Sequence, residues 1–410
     1  MNRAELLELI RNGEDSVLEF KRQGVRDHDL AKTLAAFLNL EGGTVLLGVE
    51  DDGSLSGVTG DGVEEWVVEL CRAKIEPPMV PLLSWTRDVE QPGRDVLAVT
   101  VTQGPDKPYA RLHNGRKTYY LRVGNSSREA SREELGRMYQ ASGWLRYGLK
   151  PAPGASLDTL DIRRLRDYLS RILAGDVPGE SDVEGWESLL RNLELMTESA
   201  GQLVATIDGA LLFGRKPNRF VPQSGVRAIC YPGSDADYAT RADEDLRGPL
   251  VPLGAADGSL VEIGLVDQAW DFVRRNTTPT AHLDGPRRVD RWEYPESVIR
   301  EAVVNALVHR DYSVAGTDII LSIYSDRLEI QSPGRLPNTV TPQSMKLGMR
   351  YARNQTLVNV MRDYGYVDAR GMGVRNKIIP GMRAHNGTEP ELIEEENRFT
   401  VRLWKTPKTG

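Results

Sequence analysis

Helical and strand-like patterns alternate along the first 145 residues, which restricts this opening segment to an α+β or α/β fold. "NRAELLELIRNG" is helical by its leucine spacing and stops at Gly13. "SVLEFKR" reads as a strand, "HDLAKTLAAFLNL" as a second helix, and "GGTVLLGVED" as a buried strand entered through Gly42 and Gly43. "GDGVEEWVVELCRAKI" is a third helix, followed by strands in "RDVLAVTVTQG" and "KTYYLRVGN". "SREELGRMYQASG" opens with a Ser-x-x-Glu capping signature at Ser131 and Glu134.

The Pro-, Gly- and Ser-rich stretch "YGLKPAPGASLD" reads as a linker. Beyond it, helices are expected near 161–173, 184–196 and 266–275, with strands in "QLVATIDGALLFG" and "VRAICYPG". The last segment opens with the helix "YPESVIREAVVNALVHRD" and continues with strands "TDIILSIYSD" and "RLEIQSPG". The chain is therefore expected to be an α+β multidomain protein, with domains at 1–145, 150–285 (a mixed α/β connector) and 286–405.

A net charge of −7 argues against a protein that coats nucleic acid over its whole surface, although local basic patches remain compatible with it. Two cysteines, Cys71 and Cys230, stand far apart with no Cys/His cluster, which excludes a disulfide framework and fits a reducing compartment. "MNRAELLELIRNGE" is an acidic amphipathic helix and not a signal peptide. No apolar run approaches the roughly 18 residues of a membrane span. A cytoplasmic location with no membrane partner is the expectation.

In "GEDSVLEFKR", Glu19 and Lys21 are two apart in a strand and share a face. A carboxylate beside a lysine suits phosphodiester hydrolysis, the first holding a divalent cation and the second steadying the phosphate. Mg²⁺ or Mn²⁺ needs further hard oxygens, and Glu14 and Asp51 are the natural suppliers. From spacing alone, the same residues read first as a solvated strand face and an Asp51–Asp52–Gly53 turn, since both strings are common. Arg111, His113, Arg116, Lys117, Arg122 and Arg128, interleaved with Tyr109, Tyr119 and Tyr120, form a basic, aromatic stretch suited to nucleic acid or simply to a solvated hairpin. In "REAVVNALVHRDY", Glu301, Asn305 and His309 fall four apart on one helical face. Their polar groups need partners, which a nucleotide with Mg²⁺ or ordinary core hydrogen bonding would supply.

Three blocks in order, "GEDSVLEFKR", "LAKTLAAFLNLEGGTVLLGVEDDGSLSGV" and "YYLRVGNSSREASREEL", resemble the Schlafen-type AlbA domain over about the first 140 residues. In Schlafen nucleases three acids form a metal-dependent RNA-cleaving centre. By position the resemblance places them on Glu14, Glu19 and Asp51, with Lys21 beside them. "VED" replaces the commoner double aspartate, so Glu50, Asp51 and Asp52 are alternatives for the third. Other members of the wider family are described as DNA-binding regulators, so the fold alone does not establish catalysis.

"EAVVN", "DRLEIQSPGRLP", "YARNQTLVNVM" and "GYVDARGMGVRNKI" resemble a divergent GHKL-type (histidine-kinase-like) ATP-binding α/β sandwich over roughly residues 290–405. The resemblance implies Mg²⁺ on Asn305, water polarised by Glu301, and backbone approach to phosphates at Gly371 and Gly373 of "GMG". "SPG", ending at Gly334, replaces an aspartate-bearing glycine box. Ser332 stands where an adenine-reading acid is expected, with Asp326 as a nearby contributor. Relatives often carry a winged helix after this domain, for which no pattern follows "RLWKTPKTG".

Together these features point to an ATP-responsive, metal-dependent endonuclease acting on structured RNA such as tRNA, with a bacterial anti-phage role by analogy. The alternative is an ATP-binding, DNA-binding transcriptional regulator without nuclease activity. Schlafen cores clamp substrate between two lobes, so a single AlbA-like segment implies a homodimer or higher oligomer.

Overall fold

Apolar residues on alternate strand positions decide which partner each strand face must find. The structure, a computed structural model, describes residues 2–59, 61–89, 94–255, 257–284, 287–336, 340–349, 352–367, 372–395 and 397–406. The chain divides into two units, Met1–Leu145 and Arg146–Gly410.

Unit 1 begins with α1 (Arg3–Asn12), β1 (Leu18–Lys21), α2 (Asp27–Asn39), β2 (Gly42–Leu47) and α3 (Val63–Ala73). Strands β3 (Ile75–Glu76), β4 (Leu82–Thr86), β5 (Val96–Thr102), β6 (Ala110–His113), β7 (Arg116–Val123) and β8 (Ser126–Glu129) follow, then α4 (Arg132–Ala141). One sheet runs β1-β2-β5-β4, with β1 parallel to β2 and the remaining pairs antiparallel. The other, β3-β6-β7-β8, is antiparallel throughout. Leu18, Phe20, Leu46 and Ala98 form a core with Leu6 of α1. The alternate residues Val45, Leu47, Leu97 and Val99 form a second core with Leu34 and Phe37 of α2.

Helix α2 packs against both sheets and is buried from Leu30 to Asn39 except at Lys32. Its alanines Ala31, Ala35 and Ala36 permit the close approach. At Gly43 a Cβ would lie 2.6 Å from the Phe37 ring, so only glycine fits there. At the end of α2, the buried Asn39 side chain donates to the Tyr109 and Tyr120 carbonyls at 2.8 and 3.0 Å and accepts from the Tyr109 amide at 2.6 Å. The strand expected over "GGTVLLGVED" stops at Leu47. Gly48 takes φ +97°, where a Cβ would meet the Gly57 backbone at 2.9 Å, and the chain turns out of the sheet before Glu50, Asp51 and Asp52.

Unit 2 is organised on a six-stranded sheet in the order Ala242–Leu246, Val226–Cys230, Ile319–Ile323, Arg327–Pro333, Arg398–Trp404, Glu391–Glu395. Its first two strands come from the segment read as a connector, and one core holds Leu211, Phe213, Val226 and Phe272 together with Val303, Leu321 and Leu403. The strand expected over "QLVATIDGALLFG" is a short strand, Gln202–Ala205, followed by a buried helix, Ile207–Phe213. Thr206 starts that helix by accepting from the Gly209 amide at 3.0 Å, and a continuous apolar run cannot by itself distinguish buried helix from buried strand. The helix Glu296–His309 packs on the sheet and is buried at nine positions from Val298 to Val308.

Asn39→Ala strands two carbonyls and one amide in the interior of unit 1 and is expected to destabilise that unit by about 2–3 kcal/mol. Native-state hydrogen exchange on the full chain checks this, with protection lost over residues 27–123 and retained in unit 2. Unchanged protection at Tyr109 and Tyr120 contradicts it.

Candidate functional sites

In unit 1, alternation along β1 turns Leu18 and Phe20 into the core and leaves Glu19 and Lys21 on the other face. Glu19 is nonetheless only 8% exposed, because two cations cover it. Its Oε1 lies 2.5 Å from Lys21 Nζ and its Oε2 lies 2.6 Å from Nη1 of Arg122. Arg122, in β7, also donates from Nη2 to the Asp15 carbonyl at 2.7 Å, and its guanidinium lies 5.0 Å from the centre of the Phe37 ring. A buried carboxylate needs such compensation, and losing either partner would leave the other charge uncompensated.

Glu14 Oε1 accepts from the Phe20 amide at 2.7 Å, which fixes Glu14 against β1. Asp51 is exposed in the turn beyond β2, and the Ser54 hydroxyl and amide beside Asp52 hold that carboxyl below the usual carboxylate range. Among the described residues no three His, Cys, Asp or Glu side chains converge to hold a metal ion, Glu14, Glu19 and Asp51 included. The acids as arranged do not fit a divalent cation, because the most buried of them already neutralises two positive groups.

The β6–β7 register sets Arg111 opposite Thr118 and His113 opposite Arg116, so these residues share one sheet face with Tyr120 and Arg122. Arg111 Cζ lies 5.0 Å and Lys32 Nζ 5.6 Å from the Tyr120 ring centre, and the His28 and His113 rings lie 4.7 Å apart with their planes tilted by 36°. Arg116, Lys117 and Arg128 pair with Glu129, Glu76 and Glu134. Lys32 and Arg111 have no acidic partner among the described residues. His28 and Lys32, one turn apart on α2, belong to the same patch. Only their i, i+4 spacing marks this in the sequence, and the link from Arg122 to Glu19 has no local signal at all.

In unit 2 a cavity lies between the Glu296–His309 helix and the sheet. Ala302, Asn305, Ala306 and His309 form one wall at i, i+3, i+4, i+7 spacing. Ile330 and Ser332 oppose Val401 and Phe399 in the strand register and form the floor. Gly334, at φ +104°, lines the cavity too. A Cβ there would meet the Asp311 Cβ at 2.5 Å, so glycine is required.

Each of the last four carbonyls of the Asn305 helix, which have no partner within the helix, accepts from a side chain. Ser332 Oγ donates to Ala306 at 3.1 Å, the Tyr312 hydroxyl to Leu307 at 3.0 Å, Asn354 Nδ2 to Val308 at 3.0 Å, and Arg353 Nη1 to His309 at 3.0 Å. Burial, reinforced by the nearby Arg353 charge, pushes the His309 imidazole down to about 4. It is therefore neutral at neutral pH.

Glu301 is 3% exposed and does not line the cavity. Asn305 Nδ2 donates to its Oε1 at 3.3 Å, Lys377 Nζ lies 3.1 Å from its Oε2, and a Cβ on Gly373 would fall 1.6 Å from Oε1. Gly373 and Asn305 thus both line the cavity, whereas Glu301 is held behind Gly373 by Lys377, a partner not foreseen from the sequence. Asp326 is not brought to the cavity. It pairs with Arg327 at 3.0 Å, six residues from Ser332 along a strand, about 20 Å away at ~3.3 Å per residue. Gly371 lies outside the described residues. A glycine-edged cavity with an amide side chain, Arg353 and an apolar floor is compatible with a nucleotide, whose metal ion Asn305 would hold.

Lys377→Met leaves Glu301 buried without its cation and is expected to cost about 1–3 kcal/mol of unit 2 stability. Adding Glu301→Gln should recover part of that loss in denaturant unfolding, and strictly additive losses would show that the pair is not coupled. His309 gains its proton near pH 6.5 when unfolded but only near pH 4 when native, so native stability falls as pH drops through that window. The melting temperature of wild type should therefore fall more steeply from pH 6.5 to 4 than that of His309→Gln, and parallel profiles would contradict it. Asp208, which burial pushes up to about 7, contributes the opposite slope equally to both proteins.

Residues 14–131 match the family described as "Schlafen, AlbA_2". Residues 316–403 match the HATPase_c_4 family, described as "Putative ATP-dependent DNA helicase recG C-terminal". No curated protein matches the chain. Among solved structures, the DIP2311 protein from Corynebacterium diphtheriae is similar at 20% identity and a TM-score of 0.47, over 98% of this chain and 80% of that one. No described helix is long and apolar enough to cross a membrane. The chain thus carries a Schlafen AlbA-type domain in its N-terminal part and an ATPase-like domain in its C-terminal part.

Proposed function

We propose that the protein binds the phosphate backbone of structured RNA through unit 1 and adjusts that binding by ATP held with Mg²⁺ in unit 2. The observation that carries the nucleic-acid half is that Lys32 and Arg111 both lie within 6 Å of the Tyr120 ring centre, with no acidic partner among the described residues. Like charges held close repel, and a polyanion relieves that repulsion. Arg122 lies on the same sheet face but is only 4% exposed, so it supports this patch from beneath and does not itself reach a ligand. Lys21 shares Glu19 with it, so Glu19 acts here as a positioning residue that fixes the guanidinium of Arg122. The nucleotide half rests on the cavity beside Asn305 and Gly373.

A second reading keeps Glu14, Glu19, Asp51 and Lys21 as an RNA-cleaving centre dependent on Mg²⁺ or Mn²⁺. It draws on the placement of Glu14 against β1 and of Asp51 beyond the adjacent strand β2. It also requires Glu19 to part from both Lys21 and Arg122.

Fluorescence anisotropy with a labelled RNA hairpin tests the first reading. Lys32→Ala combined with Arg111→Ala should weaken binding about tenfold or more and lower the salt slope of the binding constant by about two. Unchanged affinity and slope would refute it. Mn²⁺-dependent cleavage of the same RNA that disappears in Glu19→Gln would establish the second reading.

A further inference from the structure

His28 lies one turn before Lys32 on α2, and His113 lies two residues beyond Arg111 on β6, so each histidine shares a face with one of the two cations. All four side chains are half-buried, with part of each open to solvent. Among the described residues neither imidazole makes a hydrogen bond, which leaves their ring nitrogens available to a ligand. We propose that His28 and His113 form an acid–base pair that cleaves bound RNA through its own 2′-hydroxyl, using none of Glu14, Glu19, Asp51 and Lys21 and needing no metal ion. The inference deepens the RNA reading above and rests on it.

Histidine is the side chain whose charge changes near neutral pH, so a pair can present one neutral and one charged ring at once. The two ring centres lie 4.7 Å apart with their planes tilted by 36°. Paired metal ions that clamp the attacking and leaving oxygens of an in-line displacement at phosphorus stand about 3.5–4 Å apart. Rings at the spacing of His28 and His113 can therefore reach the same two oxygens. The neutral ring takes the proton of the ribose 2′-hydroxyl, and the 2′ oxygen bonds to the adjacent phosphorus. The bond from phosphorus to the 5′ oxygen breaks as the charged ring gives its proton to that oxygen. The strand leaves as a 2′,3′-cyclic phosphate and a 5′-hydroxyl, and proton exchange with water resets the two rings.

The charges around the pair divide the two roles. Asp29 Oδ1 lies 3.6 Å from His28 Nε2, while its other oxygen holds Arg26 Nε at 2.8 Å. A carboxylate thus balances an imidazolium at His28, which assigns the acid. His113 has cations as neighbours: Arg111 shares its strand face, and Arg116 stands opposite it in the β6–β7 register, paired with Glu129 of β8 at 3.5 Å. It takes the part of the base. Lys32 and Arg111, beside Tyr120 and without an acidic partner among the described residues, are placed to stabilise the negative charge that builds on the non-bridging oxygens. DNA would meet the same cations but carries no 2′-hydroxyl to react.

Incubation of the full chain with an RNA hairpin in EDTA, from about pH 5 to 9, provides the test. Wild type should cleave the hairpin with a bell-shaped pH profile and leave 2′,3′-cyclic phosphate and 5′-hydroxyl ends. A fully 2′-O-methylated hairpin should be bound and left intact. His28→Gln and His113→Gln should each lower the cleavage rate by about a hundredfold or more. Both should still bind the 2′-O-methyl hairpin, which also shows that they are folded. Binding by wild type without cleavage in EDTA, ends of the 3′-hydroxyl and 5′-phosphate type, or cleavage that survives in both variants overturns the assignment of the histidine pair. Failure of wild type to bind either hairpin overturns the RNA reading itself, and this inference with it.

Discussion

The end of the Asn305 helix is the constraint on which the geometry of unit 2 depends. Four carbonyls leave that helix without internal partners, and four side chains from three separate segments meet them: Ser332, Tyr312, Asn354 and Arg353. Two of these bonds come from residues that also line the cavity, Ser332 and Arg353. Ser332 belongs to the floor, and Arg353 and Asn354 precede the helix Gln355–Asp363. Capping the helix and building the cavity are therefore one set of contacts. The cavity wall is thus tied to the helix end by hydrogen bonds.

Buried charge imposes a similar discipline on both units. Glu301 is kept in the interior by Lys377 and Asn305, and Glu19 by Lys21 and Arg122. A carboxylate inside a protein is tolerated only with its charge compensated, and the compensating group decides what chemistry is left to it. Glu19 with two cations is a clamp on an arginine. Glu301 with a lysine, behind Gly373, is shielded from the cavity it borders. In both places the acid is engaged with the cations beside it.

How far the sequence disclosed this depended on the range of the interactions. Helical spacing along 296–309 placed Asn305 and His309 on one face, and the cavity wall has that face. The glycines at 334 and 373 were legible because close backbone approach leaves a residue-specific mark. Arg122 reaching Glu19 across 103 residues leaves none, nor does Lys377 reaching Glu301 across 76. The run "TIDGALLFG" was misread as strand because its alternation is weak and its burial complete, so that only the cap at Thr206 separates the two possibilities. Asp326 was drawn to the site by proximity in sequence. A strand carries residues away at ~3.3 Å each, and the side of the site to which an acid belongs is set by the end of the strand it occupies.

Binding of a labelled RNA hairpin by the full chain, measured with and without saturating MgATP and repeated with Asn305→Ala, tests most directly whether the two units act as one device. The account predicts that ATP changes the RNA affinity of the wild-type protein by about five- to a hundredfold. Asn305→Ala should retain the nucleotide-free affinity and lose the response. An RNA affinity that is the same with and without ATP in the wild-type chain would contradict the account.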